Sequence, residues 1–419
     1  MLISSVMAGV CNRRTVNPYI WINILLAVVY AVFAVTVHIK SYPDTTTYID
    51  AWSVIKTFTP DTLRTPVYPM IIGPLVSAFG FGVASVIVVL IQWVVFCLTL
   101  LPFRRICEYF ISNKYLSVFC YLLYGLYLPT FFYNSSLITE SLSYSLSVVL
   151  IYFVLKYRLH SNNRLLCVIC CIMLLTIFLR PAMLFVLIVI SVYGLYRYIV
   201  LKEVQYKRLL AATALCGLLA LSYSFAMYQN YGCFTFSRVS VFNDFISLRN
   251  DNIVSINDIA AYDDEIREYM IDSNVNELDS LTNKFGEERI YKNMSKITGE
   301  HRLELLMLVK NHFISSLNCK VIALGYNAKA DIINIFLPSF WLLYLVLIVF
   351  SVIVCLSRLM RKMLADYILL IMMLLGLILV VLYGAYAEYD RLIYPCSWAL
   401  YLMGFILIDK FIYHYAKKG

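Results

Sequence analysis

The sequence predicts an all-α polytopic membrane protein, with about ten transmembrane helices, external juxtamembrane helices and one mostly helical external domain. Three observations carry this. Of the 419 residues, 62% are hydrophobic and 14% charged, whereas soluble domains sit near half apolar and a quarter charged. Mean hydropathy is +0.78. Apolar runs close to the roughly twenty residues that a bilayer core requires recur along the chain, and Lys and Arg gather in the short connections on one side of them.

Ten runs qualify as spans: 19–38, 82–102, 115–132, 139–156, 164–179, 181–199, 208–227, 334–356, 364–385 and 392–412. Residues 70–80 are apolar but short, and read as a half-buried helix leading out of a Tyr68-Pro69 corner. The first run is too long for a signal-peptide core and lacks a small-residue cleavage site, so a retained helix is expected. One set of connections holds Arg13, Arg14, Arg104, Arg105, Lys156, Arg158, Arg197, Lys207, Arg208, Arg361, Lys362, Lys417 and Lys418, among others. The opposite set holds Lys40, Lys56, Arg64, Arg180 and Arg391. Positive-inside placement puts both termini in the cytoplasm. Because the net charge of +9 is spent on these loops, it gives no basic patch for nucleic acid.

This topology divides the chain into an N-terminal membrane module (1–227, with a first external loop at 39–81), an extracytoplasmic domain (228–331) and C-terminal membrane helices (332–419). In the domain, Asp263, Asp264, Glu265 and Glu268 form an acidic helical stretch. Residues 299–318 place Leu303, Leu306, Met307 and Phe313 near one helical face, an amphipathic helix lying on the membrane or capping the bundle. Most cysteines sit inside apolar runs as small hydrophobes. Cys167-x-x-Cys170 has no polar neighbours and reads as packing. Cys233 and Cys319 flank the domain and are candidates for a disulfide if it faces an oxidising compartment. His301 and His312 lack ligand spacing and read as surface or packing residues.

The charges that cytoplasmic loops do not explain all fall on the external face, and charges at a membrane edge tend to mark function. Asp44 follows Pro43 in a Thr-rich turn with Tyr48. It reads either as a carboxylate that accepts a proton from an incoming hydroxyl or as a helix cap; Asp50 and Asp61 are nearby rivals, and Asp61 after Pro60 looks like a cap. In Arg64-Thr65-Pro66-Val67-Tyr68-Pro69, two prolines forbid a regular helix through the corner. They hold Arg64 at a set angle, suited to a phosphate or carboxylate or to a lipid headgroup. Glu140, after Thr139, opens a membrane helix where its dipole also favours a carboxylate. Arg180-Pro181 occupies a nearly absent loop, so Arg180 is essentially a membrane residue with a partner or a snorkelling one. Glu388 and Arg391 stand three apart and can pair on one helical face, with Asp390 an alternative partner and Tyr394-Pro395 behind them.

Taken together, these pieces resemble the GT-C superfamily of membrane glycosyltransferases, in particular its bacterial branch around protein O-mannosyltransferases and the lipid A aminoarabinose transferase. That branch typically has an aspartate in the first external loop, an Arg-Thr-Pro-x-Tyr-Pro motif, a Thr/Ser-Glu at a helix start, an Arg-Pro between helices and a Glu-x-x-Arg-x-x-x-Pro near the C-terminus. The matching residues are Asp44, Arg64 to Pro69, Thr139-Glu140, Arg180-Pro181, and Glu388, Arg391 and Pro395. The likeness departs from the pattern in lacking a clear Asp-Glu pair in the first loop, and in carrying its soluble segment between the seventh and eighth helices.

The resemblance implies a GT-C-like helix arrangement in a bacterial cytoplasmic (inner) membrane, with the site on the external face. It also implies inverting transfer from a polyprenyl-phosphate sugar to a glycan, lipid or protein hydroxyl. Asp44 is then the expected base. Arg64, Arg180 and Arg391 are expected to hold the donor phosphate, with Tyr68 lining the site. Glu140 and Glu388 orient the arginines, bind sugar hydroxyls or hold a divalent cation, the one cofactor considered. A glycan polymerase or ligase with a lipid-diphosphate donor, and a lipid-linked glycan flippase, are the alternatives.

Overall fold

The computed structural model describes residues 18–36, 38–232, 234–273, 277–317, 340–356, 363–384 and 389–416. Helices account for nearly all of the regular structure among them. The first half comprises α1 (Pro18–Thr36), α2 (Pro43–Ile55), α3 (Val67–Phe110), α4 (Lys114–Gly125), α5 (Leu128–Asn134), α6 (Glu140–Leu159), α7 (Asn163–Leu179), α8 (Phe185–Leu195) and α9 (Tyr206–Tyr231). Then come α10 (Val239–Asn250), α11 (Asn257–Ala260), α12 (Asp264–Ser273), α13 (Leu278–Phe285), α14 (Glu287–Glu300) and α15 (Arg302–Leu317). The C-terminal part holds α16 (Phe340–Leu356), α17 (Leu364–Gly384), α18 (Tyr389–Ile393) and α19 (Trp398–Ala416).

Six helical stretches are long and apolar enough to cross a membrane: Val67–Phe110, Lys114–Asn134, Glu140–Leu159, Pro181–Val200, Tyr206–Tyr231 and Leu364–Gly384. Tyr19–Phe33, Asn163–Leu179 and Trp341–Leu356 are shorter apolar helices. The chain is a multi-pass membrane protein. The expected run 115–132 is broken between α4 and α5, where Pro129 lies in the first turn of α5. Proline has no N–H to continue the ladder and restricts the residue before it.

α3 is the spine, 44 residues long. It breaks at Gly80, whose φ of 74° and ψ of 163° are non-helical and open only to a residue without a Cβ. The short helix expected over 70–80 is therefore its first limb, set at an angle to the span that follows. On that limb a Cβ at Gly73 would lie 2.2 Å from Trp52 Cβ, so the glycine is what lets α2 lie directly on α3. Gln92, buried within α3, donates to the Asn134 and Ser136 carbonyls at 2.9 and 2.8 Å. It fixes the irregular segment between α5 and α6 in the middle of an otherwise apolar core, where an unpaired backbone carbonyl is expensive.

A second hydrophobic core, built by Phe245, Leu248, Ile259, Ile266, Leu281, Ile290, Met294, Ile297 and Leu305, lies apart from the membrane core. Within it, Arg289 pairs with Asp263 at 2.5 Å and with Glu265 at 2.7 Å, drawing in part of the acidic stretch. Leu303, Leu306 and Met307 are exposed on α15, while Leu305 and Leu308 on its other side are buried. Cys233 and Cys319 lie outside the described residues.

At one end of the bundle is a buried ionic cluster that the sequence did not announce. Asp366, fully buried in the first turn of α17, receives Arg197 at 2.6 Å, the Tyr193 hydroxyl at 2.9 Å, the Tyr109 hydroxyl at 2.8 Å and Arg158. Arg197 also pairs with Glu203 at 2.8 Å. The positive-inside count treats Arg158 and Arg197 as loop charges. Arg197 is instead 1% exposed, a clamp tying α3, α6, α8 and α17 together.

Candidate active site

The opposite end of the same helices gathers the predicted charges. α6 runs from Glu140 to Leu159, so Glu140 and the Arg158 clamp are separated by most of a helix, roughly 27 Å at 1.5 Å per residue. Asp44 reaches this end because its loop is stitched to the segment before α6. Lys40 N–H donates to the Ser135 carbonyl at 3.0 Å, Leu137 N–H to the Lys40 carbonyl at 2.9 Å, and the Thr45 hydroxyl to the Leu137 carbonyl at 3.0 Å.

Asp44 is not the cap of α2. Tyr42 holds that position, and its N–H donates to Thr45 Oγ1 at 2.9 Å. The Asp44 carboxylate is thereby free for other partners. Its Oδ1 accepts from Arg64 Nη2 at 2.7 Å, and its Oδ2 accepts from Arg391 Nη2. Arg391 continues to Glu140, with Nε 2.5 Å from Oε1. Arg180 Nη1 lies 3.2 Å from the same Glu140 oxygen. The result is a line of five alternating charges, Arg64–Asp44–Arg391–Glu140–Arg180. Among the described residues, three guanidinium groups of this line face two carboxylates.

The line runs from the surface inward. The Asp44 side chain is 27% exposed, Arg64 and Arg391 about half that, Arg180 7% and Glu140 1%. Burial alone would raise the Asp44 carboxyl. Arg64 and Arg391 outweigh it and hold it at about 2, below its ordinary 3.8. Opposite charges in contact favour the ionised form.

Each arginine is placed by a different device. Asp61 Oδ1 accepts the N–H groups of Leu63 and Arg64 at 2.9 and 2.7 Å, bracing a turn with no helix directly behind it, where the sequence suggested a helix cap. Arg64 Nε donates to the Thr47 hydroxyl at 2.7 Å, and its guanidinium lies 4.5 Å from the centre of the Tyr48 ring. Arg180 is extended (φ −150°, ψ 119°), as the residue before a proline tends to be, and Pro181 starts the next helical turn. Its Nη1 is buried and, despite the short approach to Glu140, has no hydrogen-bond acceptor among the described residues. Arg391 lies 5.6 Å from the Tyr42 ring. The corner behind it is fixed by Tyr394, which stacks on Tyr144 at 4.5 Å and donates to the Thr130 hydroxyl at 3.0 Å.

One of the predicted residues stands elsewhere. Tyr68 is fully buried, its hydroxyl on Gln92 Oε1 at 3.2 Å and its ring 4.8 Å from Tyr48. It sits one layer behind the charges, supporting the ring that supports Arg64. Glu388 lies outside the described residues, and the expected Glu388–Arg391 pair with it. Tyr42, Thr47 and Tyr48 were not singled out as functional. Among the described residues no group of three or more His, Cys, Asp or Glu side chains is placed to hold a metal ion. The two carboxylates of the line, the natural cation ligands here, are committed to guanidinium groups.

The helices define the class: an all-helical membrane protein in a GT-C-like arrangement. Its likeness to the archaeal oligosaccharyltransferase AglB from Archaeoglobus fulgidus, solved in complex with an inhibitory peptide and a dolichol-phosphate, has a TM-score of 0.50 at 12% identity. The match covers 94% of this chain and 51% of that one, so the chain spans about half the length of this neighbour. No family model matches the sequence, and no curated protein does.

Proposed function

We propose that this chain is a membrane glycosyltransferase. It moves a sugar from a polyprenyl-phosphate donor to a hydroxyl of a cell-envelope glycan, lipid or protein, with inversion, on the external face of a bacterial cytoplasmic membrane. The observation that carries this is the five-membered charge line, in which three arginines converge on two carboxylates. A plain anchor has no use for three arginines converging at one membrane edge. A leaving phosphate does, because fixed donors are most effective where charge develops. The lipid phosphate bound by the oligosaccharyltransferase of like fold supports the same reading.

In this mechanism the acceptor oxygen attacks the anomeric carbon of the donor sugar. The bond from that carbon to the phosphate oxygen breaks, and its electron pair leaves with the polyprenyl phosphate. The hydroxyl proton passes to Asp44. A carboxylate held at about 2 is a weak base, and the line itself supplies the remedy. A donor phosphate entering beside Arg64 and Arg391 competes with Asp44 for both. As the guanidinium groups turn to the phosphate, the carboxyl rises toward its ordinary value and takes the proton. Glu140 keeps Arg391 in place meanwhile, and the unsatisfied Arg180 N–H offers a further donor to phosphate or sugar.

The test is turnover by the purified protein in lipid nanodiscs. Monophosphate-linked and diphosphate-linked polyprenyl sugars are compared as donors, with release of the lipid phosphate as readout. Release from the monophosphate donor that depends on Arg64 and Arg391 is expected. Turnover confined to the diphosphate donor assigns the chain to polymerases or ligases instead.

A further inference from the structure

A second polar feature lies where α10, α14 and α15 meet the end of α17. It is a cavity of about 320 Å³ lined by Asp244, Ser295, Thr298, Arg302, Tyr383 and Phe234, among others. Its size is at the lower end of small-molecule sites, about 300–1,000 Å³. Asp244 Oδ1 is buried and has no hydrogen-bond partner among the described residues. Buried polar atoms are nearly always paired, and each exception calls for an explanation. Arg302 lines the same cavity, yet the Asp244 Oδ1 atom accepts no hydrogen bond from it. A carboxylate and a guanidinium thus share one space without satisfying each other.

We propose that this cavity binds a neutral sugar unit of the acceptor, an inference that rests on the glycosyltransferase reading above. Hydroxyl groups both donate and accept, so one sugar ring satisfies the Asp244 carboxylate, the Arg302 donors and the hydroxyls of Ser295 and Thr298 together. The aromatic side chains of Tyr383 and exposed Phe234 supply the flat apolar surface that the C–H face of a sugar prefers. The polar lining argues against a lipid tail, and Asp244 against an anion.

The position suits an acceptor that extends from the charge line. Asn243, next to Asp244, donates to the Gly384 carbonyl at 3.0 Å, which ties the cavity to the outer end of α17. Tyr383 stands eight positions before Arg391 in the chain, a separation of at most about 28 Å. An extended glycan that places a hydroxyl beside Asp44 has its remaining units within reach of this cavity.

The test uses full-length protein in nanodiscs on an array of neutral oligosaccharides ending in hexose, N-acetylhexosamine or deoxyhexose. Polyprenyl phosphate binding is measured separately on the same samples. The wild type is expected to retain a subset of the array. Asp244→Asn and Arg302→Gln should weaken that retention at least tenfold, with unchanged polyprenyl phosphate binding and no loss of melting temperature. Retention of no array member by the wild type, or equal retention by Asp244→Asn, overturns the subsite. Failure to bind polyprenyl phosphate, read in the other arm, strikes the glycosyltransferase reading instead.

Discussion

Replacing Asp44 by Asn is expected to do two opposite things at once. The side chain keeps its size and loses its charge, so Arg64 and Arg391 lose the carboxylate that bridges them. Turnover should fall by roughly 10²–10⁴-fold, the usual contribution of a general base. Donor binding should tighten. The shift of the Asp44 carboxyl from 3.8 to about 2 corresponds to roughly 2 kcal/mol of attraction to its surroundings, and a phosphate entering the site must overcome it. With the attraction gone, affinity for a polyprenyl phosphate should rise by about tenfold to thirtyfold, somewhat less at high salt, because the pair is partly exposed. The assay is titration of sugar-free polyprenyl phosphate into nanodisc-embedded protein, alongside transfer rates on the same preparation. Weaker or unchanged lipid-phosphate binding refutes the competition between Asp44 and the donor. Full turnover refutes Asp44 as the base.

Glu140→Gln, by releasing Arg391 and Arg180, should lower kcat/KM for transfer by roughly 10²-fold, since small misplacements of positioning groups are costly; steady-state kinetics on protein of unchanged elution profile measures this. Asp366→Asn should destabilise the fold by about 3–5 kcal/mol, because it takes the carboxylate from Arg158 and one of the two carboxylates that pair with buried Arg197. It should leave transfer per folded molecule intact, as unfolding curves set beside activity will show. Asp244 yields a pH-dependent effect: burial pushes its carboxyl up to about 7, so the folded state holds a proton that the unfolded chain has released. The charged form therefore lowers stability increasingly as pH rises from about 4 to about 7. Asp244→Asn removes that penalty, and its gain in melting temperature should be larger at pH 8 than at pH 5.

Much of the site was legible because charged groups at a membrane edge need a reason to be there. Asp44, Arg64, Glu140, Arg180 and Arg391 stood out against a chain that is only 14% charged. Their pairing was not legible. Spacing of three suggested Glu388 for Arg391, a pair that lies outside the described residues; the described contacts of Arg391 to Asp44 and Glu140 span 347 and 251 residues, and no local period encodes those. Tyr42 and Tyr48, on which two of the arginines rest, gave no signal because tyrosine and phenylalanine occur throughout this sequence. Tyr68 was assigned to the site by its place in the Arg-Thr-Pro-x-Tyr-Pro motif. Its hydroxyl turns inward to Gln92, a polar residue in an apolar run that holds the irregular segment between α5 and α6. The Asp366 clamp was missed for a different reason: counting arginines to orient the helices treats each as solvated, and so hides those that are buried.

The order in which the five charges occur along the chain bears on how the protein is made. Synthesis delivers Asp44 and Arg64 first, then Glu140 and Arg180, and Arg391 last of the five. Arg391 touches both carboxylates, so the line cannot close until the chain has been made as far as α18. The Arg64 loop waits as well: the Pro60, Thr62 and Leu63 carbonyls that shape it accept from Tyr231, Arg238 and Ser237 at 2.8, 2.9 and 2.7 Å. A chain stalled before α18 therefore carries every early residue of the line and no closed line, so the site assembles only after the helices on both sides of it are in place.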